Sequence, residues 1–353
     1  MDLFTPVTLG ALQLRNRIVM APMTRSRAGS DAVPTDVMVD YYRQRASAGL
    51  IITEGIAPSA DGLGYCRTPG IYNEEQVAVW RRITDAVHEE GGSIVAQIMH
   101  VGRVASALNK PSGSRTVAPS AITARGEIYT DQQGMQAFDE PQALSTEEVQ
   151  AVIEDYRHAT ANAFEAGFDG VELHCTSGYL PAQFLSSGTN KRRDNYGGAV
   201  ENRARFALET LQAMVSVHGP GRVGMRICPD NPFNDLQDDD PQQTFSYLLQ
   251  QARDLDLAYL HVIRFPKGRV DNIALGQQHF AGRLIGNESY SFEEARQAVA
   301  AGVLAAVSFG RYFVGNPDLV ERWQAGVPLT DFDLATLYTP GEQGYSNYPR
   351  ADA

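Results

Sequence analysis

Eight short apolar runs, separated by stretches of helical pattern, constrain this chain more than any other feature. They cover residues 18–21, 50–52, 93–100, 170–174, 222–227, 258–263, 283–286 and 305–310. Helical spacing is read at 35–48, 74–90, 145–166, 201–217, 241–255, 291–301 and 317–324. Asn73 ahead of Glu74 and Glu75, and Ser145 with Glu148, are helix-start signals. Strand–helix alternation builds a parallel sheet. Eight units, with no dinucleotide fingerprint after the first strand, predict a closed (β/α)8 barrel rather than a doubly wound sheet. Residues 7–14, around Gly10, read as a hairpin capping the barrel. Residues 101–143, after strand three, are rich in Gly, Pro and Ser and have little period. A loop that long inside a domain is usually functional, often a lid.

No linker or low-complexity tract divides the 353 residues, so a single barrel domain over 1–353 is expected. A net charge of −12 argues against nucleic acid or an anionic membrane as partner. The three cysteines, Cys66, Cys175 and Cys228, are too widely spaced for a disulfide framework or a zinc pair. With no export signal and no membrane-length apolar run, a cytoplasmic location is expected. The Asn287-Glu288-Ser289 sequon is then a chance match.

In such barrels the carboxyl ends of the strands carry the chemistry. Strand one ends Ala21-Pro22-Met23-Thr24-Arg25, strand two Thr53-Glu54-Gly55, and strand three holds Gln97 and His100. Strand four ends at His174, with Tyr179 five residues on, and strand five contributes Arg226. His can hold a substrate oxygen and Tyr can give up a proton. The set has no paired catalytic carboxylates, Ser-His-Asp candidate or HExxH motif, and no metal site is expected. It suits a planar heteroaromatic ring. Gly286, Gly310 and Arg311 follow strands seven and eight, where barrels commonly hold phosphate. Ring plus phosphate suggests flavin mononucleotide. The bland reading stays open for each residue alone: a capped strand end, a packed Tyr, turn glycines. His88, His158 and His218 read as surface or packing residues, Asp238–Asp240 as a solvated helix entry, and Cys175 as an inert thiol.

Over nearly its whole length the sequence resembles the old yellow enzyme family of flavin-dependent ene-reductases, including the oxophytodienoate reductases. The resemblance runs through Leu14-Arg15-Asn16-Arg17-Ile18 to Arg25, Gln44-Arg45-Ala46-Ser47-Ala48-Gly49, Gln97-Ile98-Met99-His100-Val101-Gly102-Arg103, Gly170 to Leu180, Asp194-Asn195-Tyr196-Gly197-Gly198, and Phe309-Gly310-Arg311. It implies tightly bound, non-covalent FMN, reduced by NADPH or NADH and reoxidised by an activated alkene in ping-pong order. By position, Pro22, Met23, Thr24 and Gly55 line the flavin. Gln97 bonds its pyrimidine edge and Arg226 sits near N1. Gly286, Asn287, Gly310 and Arg311 surround the phosphate. His174 bonds the substrate oxygen with Ser177 beside it, Tyr179 protonates the α-carbon, and Tyr345 borders the substrate. A monomer or homodimer is expected.

Two positions depart from the family pattern. His-x-x-His or His-x-x-Asn is replaced by His174-x-x-Ser177. That opens an alternative: a specialised desaturase, isomerase, or nitro or quinone reductase. A flavin-binding protein with little catalysis left is a further reading, which His174 and Tyr179 argue against. The family's Gly-Gly-Tyr run is replaced by Glu288-Ser289-Tyr290. A carboxylate near phosphate is unfavourable, so Glu288 is expected to point to solvent while flavin still binds.

Overall fold

A computed structural model describes residues 1–351 of the chain. Eight parallel strands close into a barrel: Ile18–Met20, Leu50–Ile56, Ile94–Ile98, Gly170–His174, Val223–Ile227, Tyr259–Ile263, Leu284–Asn287 and Ala306–Phe309. The expected (β/α)8 architecture is therefore present. The N-terminal hairpin, Val7–Leu9 against Leu12–Leu14, plugs the amino end of the barrel. Leu9, Leu12 and Leu14 pack there on Val19, Ile52, Val95, Tyr259 and Ile285. A larger apolar shell lies between strands and helices, with Trp80, Tyr156 and Phe206 among its fully buried side chains.

Helix ends follow local chemistry. The Asn73 side chain accepts from the Gln76 amide, starting helix Glu74–Glu89. Ser145 and Glu148 form a reciprocal capping box on Thr146–Glu165. Each such cap stabilises by about 1 kcal/mol. The helix read at 35–48 spans only Asp36–Gln44. Beyond it the Arg45 guanidinium is drawn inward to the carbonyls of Phe313 and Val314.

Three helices carry no clear sequence signal: Leu180–Leu185, Asn272–Phe280 and Arg311–Gly315. The segment 101–143 is more ordered than its composition implies. It holds an antiparallel hairpin, Glu127–Thr130 with Gly134–Ala137, and a short parallel pairing of Val117–Ala118 with Gln142–Ala143. No described helix is long and apolar enough to cross a membrane.

The barrel register sets the site. His174 lies beside Arg226, and Arg226 beside His261. Glu172 lies beside Gln97 on the next strand. Side chains two apart on a strand share a face, so Glu172 and His174 both project into the barrel, one below the other.

Candidate active site

The site has a cavity at the end where the family resemblance expects phosphate, a buried middle and an open vestibule. At the first, a cavity of about 410 Å³ is lined by Pro22, Met23, Arg226, Asn287, Glu288, Ser289, Gly310 and Arg311, among others. At the last, a cavity of about 700 Å³ is lined by Thr24, Tyr65, Arg67, Tyr179, Phe233 and Tyr338, among others. Between them lie Gly55, Gln97 and His174, all buried.

Arg226 donates from Nη2 to Asn287 Oδ1 at 2.7 Å, and Asn287 passes its own Nδ2 hydrogen to the Ser308 carbonyl at 3.1 Å. Arg226 Nε and His174 Nδ1 are buried without a partner. An unsatisfied buried polar atom costs roughly 1–3 kcal/mol, so the two mark a place made for a polar ligand. Gln97 Nε2 is held by Glu172 Oε1 at 2.7 Å. Gly55 has no room for a side chain because Met99 lies over it.

The Tyr179 ring stands edge-on to His174, with centroids 4.9 Å apart and planes at 89°. Its hydroxyl donates to that of Tyr65 at 3.2 Å. Burial, then Tyr65, pushes the Tyr179 phenol well above its ordinary value, so it keeps its proton. Burial, then the Arg226 charge, holds His174 well below its ordinary value, so the ring is neutral. A neutral imidazole donates a hydrogen bond, and a protonated phenol gives up a proton only to a basic carbon or oxygen.

Ser177 sits half-buried at φ 58°, and its carbonyl accepts from Asn234 Nδ2 at 2.7 Å. Arg67 ties the vestibule wall together. It bonds the Ser26 carbonyl at 3.1 Å, the Tyr338 carbonyl at 2.8 Å, and the Asp131 carboxylate at the tip of the hairpin. Exposed Tyr129, Met135, Phe233 and Tyr338 ring the mouth.

Two expectations need correction. Gly286 does not line the phosphate-end cavity. It is a strand residue, and the side chain of Leu304 fills the space its Cβ would need. Tyr345 is wholly buried and set back from the vestibule. Its ring stacks on Tyr41 at 3.9 Å, with Arg25 and Arg27 over it. Neither cavity of the site is lined by Tyr345. The Glu288 side chain is 42% exposed, as expected. Its carboxylate turns back on Arg311 at 3.0 Å. Glu288 and Ser289 take consecutive left-handed conformations, φ 79° and 55°, which glycine would adopt without strain. Arg264 Nε holds the pair by bonding the Glu288 carbonyl at 2.7 Å.

Sequence reasoning missed Tyr65, Arg67, Phe233, Asn234 and Tyr338. The first two lie in the loop after strand two, where a barrel carries function, and the position of that loop is the only signal for them.

The sequence matches the NADH:flavin oxidoreductase / NADH oxidase family over residues 2–330. A probable flavin mononucleotide-dependent alkene reductase of Leishmania infantum is 43% identical over 352 residues, covering 98% of this chain and 96% of that protein. The old yellow enzyme homologue of Zymomonas mobilis is 41% identical with a TM-score of 0.94, covering 99% of both chains. Morphinone reductase in complex with tetrahydroNAD is 43% identical with a TM-score of 0.94, covering 100% of this chain and 98% of the other.

Proposed function

This chain belongs to the NADH:flavin oxidoreductase / NADH oxidase family, and from that premise we propose that it is an FMN-dependent, nicotinamide-driven reductase of activated alkenes. The observation that carries the reading is the set of matched groups: Arg311 in the first cavity, the buried Arg226 Nε and His174 Nδ1 without partners, and Tyr179 at the vestibule. Bound there, FMN supplies a two-electron carrier that takes hydride from NADH or NADPH and returns it to the β-carbon of an alkene conjugated to a carbonyl.

The residues do the rest. Arg311 and the Gly310 backbone hold the phosphate. Arg226 offers positive charge where reduction builds negative charge. Gln97, its amide fixed on Glu172, meets the pyrimidine edge. Neutral His174 donates to the substrate carbonyl oxygen and stabilises the developing enolate. Tyr179 delivers the proton to the α-carbon and is resupplied through Tyr65 from the vestibule. Nicotinamide and alkene enter by the same vestibule in turn, so ping-pong kinetics follow.

The test is direct. Purified protein should be yellow, release FMN on acid treatment, and consume NADPH or NADH with 2-cyclohexenone to give cyclohexanone. Colourless protein that takes up no FMN would overturn the reading.

A further inference from the structure

Behind Gln97 lies a set of buried polar side chains whose role beyond the Gln97–Glu172 contact no step above uses. Glu172 is fully buried, and so is His261. Glu172 Oε1 accepts from Gln97 Nε2 at 2.7 Å, and Oε2 meets His261 Nδ1 at 2.9 Å. On the far side of the ring, His261 Nε2 lies 2.7 Å from Ser308 Oγ. These residues come from five separate barrel strands once Arg226, beside His261 in register, is included.

The hydrogen positions follow from the partners. A carboxylate oxygen cannot face an imidazole lone pair, so Nδ1 carries the proton and donates to Glu172. Nε2 of the neutral ring is then an acceptor, and the Ser308 hydroxyl donates to it. The second Ser308 contact, to the Gly286 carbonyl, is long at 3.4 Å and is left unmade. Glu172 in turn can only accept from Gln97. The amide is thereby fixed with nitrogen toward Glu172, and its carbonyl oxygen and second N–H are what remain for a ligand. A flavin pyrimidine edge presents an N–H donor flanked by carbonyl acceptors, which is the complement of that pair.

A buried carboxylate costs several kcal/mol unless paired. Burial alone would raise Glu172, but His261, Arg226 and Gln97 outweigh it and keep the group ionised. The charge has a second effect, since it lies under the end of the site where reduction would add negative charge.

Resting on the FMN reading above, we propose that Glu172 and His261 are a buried positioning pair that fixes the Gln97 amide and sets the reduction potential of the bound flavin. The pair touches no substrate. It acts through Gln97 and through the field it places opposite Arg226.

The experiment uses the holoprotein. Glu172→Gln keeps the shape and removes the charge. The midpoint potential, read by equilibration with a reference dye, should become more positive by about tenfold in the oxidised-to-reduced ratio, about 30 mV for a two-electron couple. A merely structural role would lower thermal stability and leave the potential alone. A double-mutant cycle reads the amide. Gln97→Met should weaken FMN binding, measured by quenching of flavin fluorescence, at least fivefold more in the native background than in Glu172→Gln. Should Glu172→Gln fail to fold, Ser308→Ala removes the donor to His261 Nε2, weakens Nδ1–H as a donor to Glu172, and should make the potential slightly more negative. An unchanged potential in whichever variant folds, or strictly additive effects in the cycle, would overturn the proposal while FMN binding by the native protein stands. Native protein that binds no FMN would overturn both.

Discussion

The Tyr179 hydroxyl donates to the Tyr65 hydroxyl across 3.2 Å, linking the buried phenol beside His174 to the wall of the open vestibule. In the proposed reaction this pair would carry the proton to the substrate. Tyr179→Phe should slow reoxidation of the reduced protein by an enone about 10²–10⁴-fold. It should leave reduction by NADPH within about twofold, since hydride delivery needs no phenol. Tyr65→Phe should slow reoxidation by less, because water can replace it. Because Tyr179 lies well above its ordinary value, its proton should not be lost as pH rises to 9. Stopped-flow traces of the two half-reactions check all of this. Equal loss in both halves would contradict it.

Ser177 stands where the family has a second strong donor, and its backbone is left-handed at φ 58°. Asn tolerates that conformation better than most residues. Ser177→Asn should therefore fold and return the missing donor. Reoxidation by cyclohexenone should rise by up to about a hundredfold, the worth of one good donor at developing charge. Equal rates in the two proteins would show that Ser177 costs nothing.

Much of this was legible before the fold was known, but unevenly. The barrel could be read because its strands are apolar runs and the helices have clear caps at Asn73 and Ser145. The helix Asn272–Phe280 could not. Gly276 sits in its middle, where only packing against Leu284 and Val262 explains it. Pro22, Met23, Thr24, Gln97, His174, Arg226 and Arg311 were expected in the site from their place at or just after strand ends, and Tyr179 from the loop after His174. Glu172 reads in sequence as the polar face of a strand. Its partners lie on other strands, so its burial appears only after the barrel closes. Tyr345 misled for a similar reason: its motif marks the region, and Tyr41 decides where the ring rests.

In the proposed FMN site Glu288 would compete with phosphate for Arg311. Its carboxylate pairs with Arg311 at 3.0 Å and its backbone is held at φ 79°. A phosphate has to displace the carboxylate and then tolerate it nearby. Glu288→Gly removes the competitor and suits the left-handed turn. FMN should bind about tenfold more tightly, as read by fluorescence quenching in titrations of the apoprotein. Unchanged or weaker binding would show that the carboxylate is no obstacle.

Acid should destabilise the fold early. Burial pushes His100 down to about 3 and holds His174 well below its ordinary value, and burial also lowers His261. Each is neutral in the fold and free to charge when unfolded. Their contribution is full above the unfolded value near 6.5 and is lost as pH falls. Buried Glu54 works the other way. Raised by burial to about 7, it favours the fold below the unfolded carboxyl range and loses that contribution as pH rises through 7. Three histidines against one carboxyl predict a net loss of stability as pH falls from 7 to 5. Melting temperature should fall by several degrees over that interval. A flat or rising profile would contradict the assignment of neutral, buried histidines.

The central claim is that this site passes a hydride from a nicotinamide to an activated alkene by way of FMN. Anaerobic stopped-flow tests it most directly. The yellow protein is reduced with NADPH or NADH, mixed with 2-cyclohexenone, and followed by the visible absorbance of oxidised flavin. Absorbance that bleaches with the nicotinamide and returns with the enone, at a rate linear or saturating in its concentration, is the expected result. Bleaching without return, in native protein and in Ser177→Asn alike, would contradict the claim and direct the search to nitro and quinone acceptors.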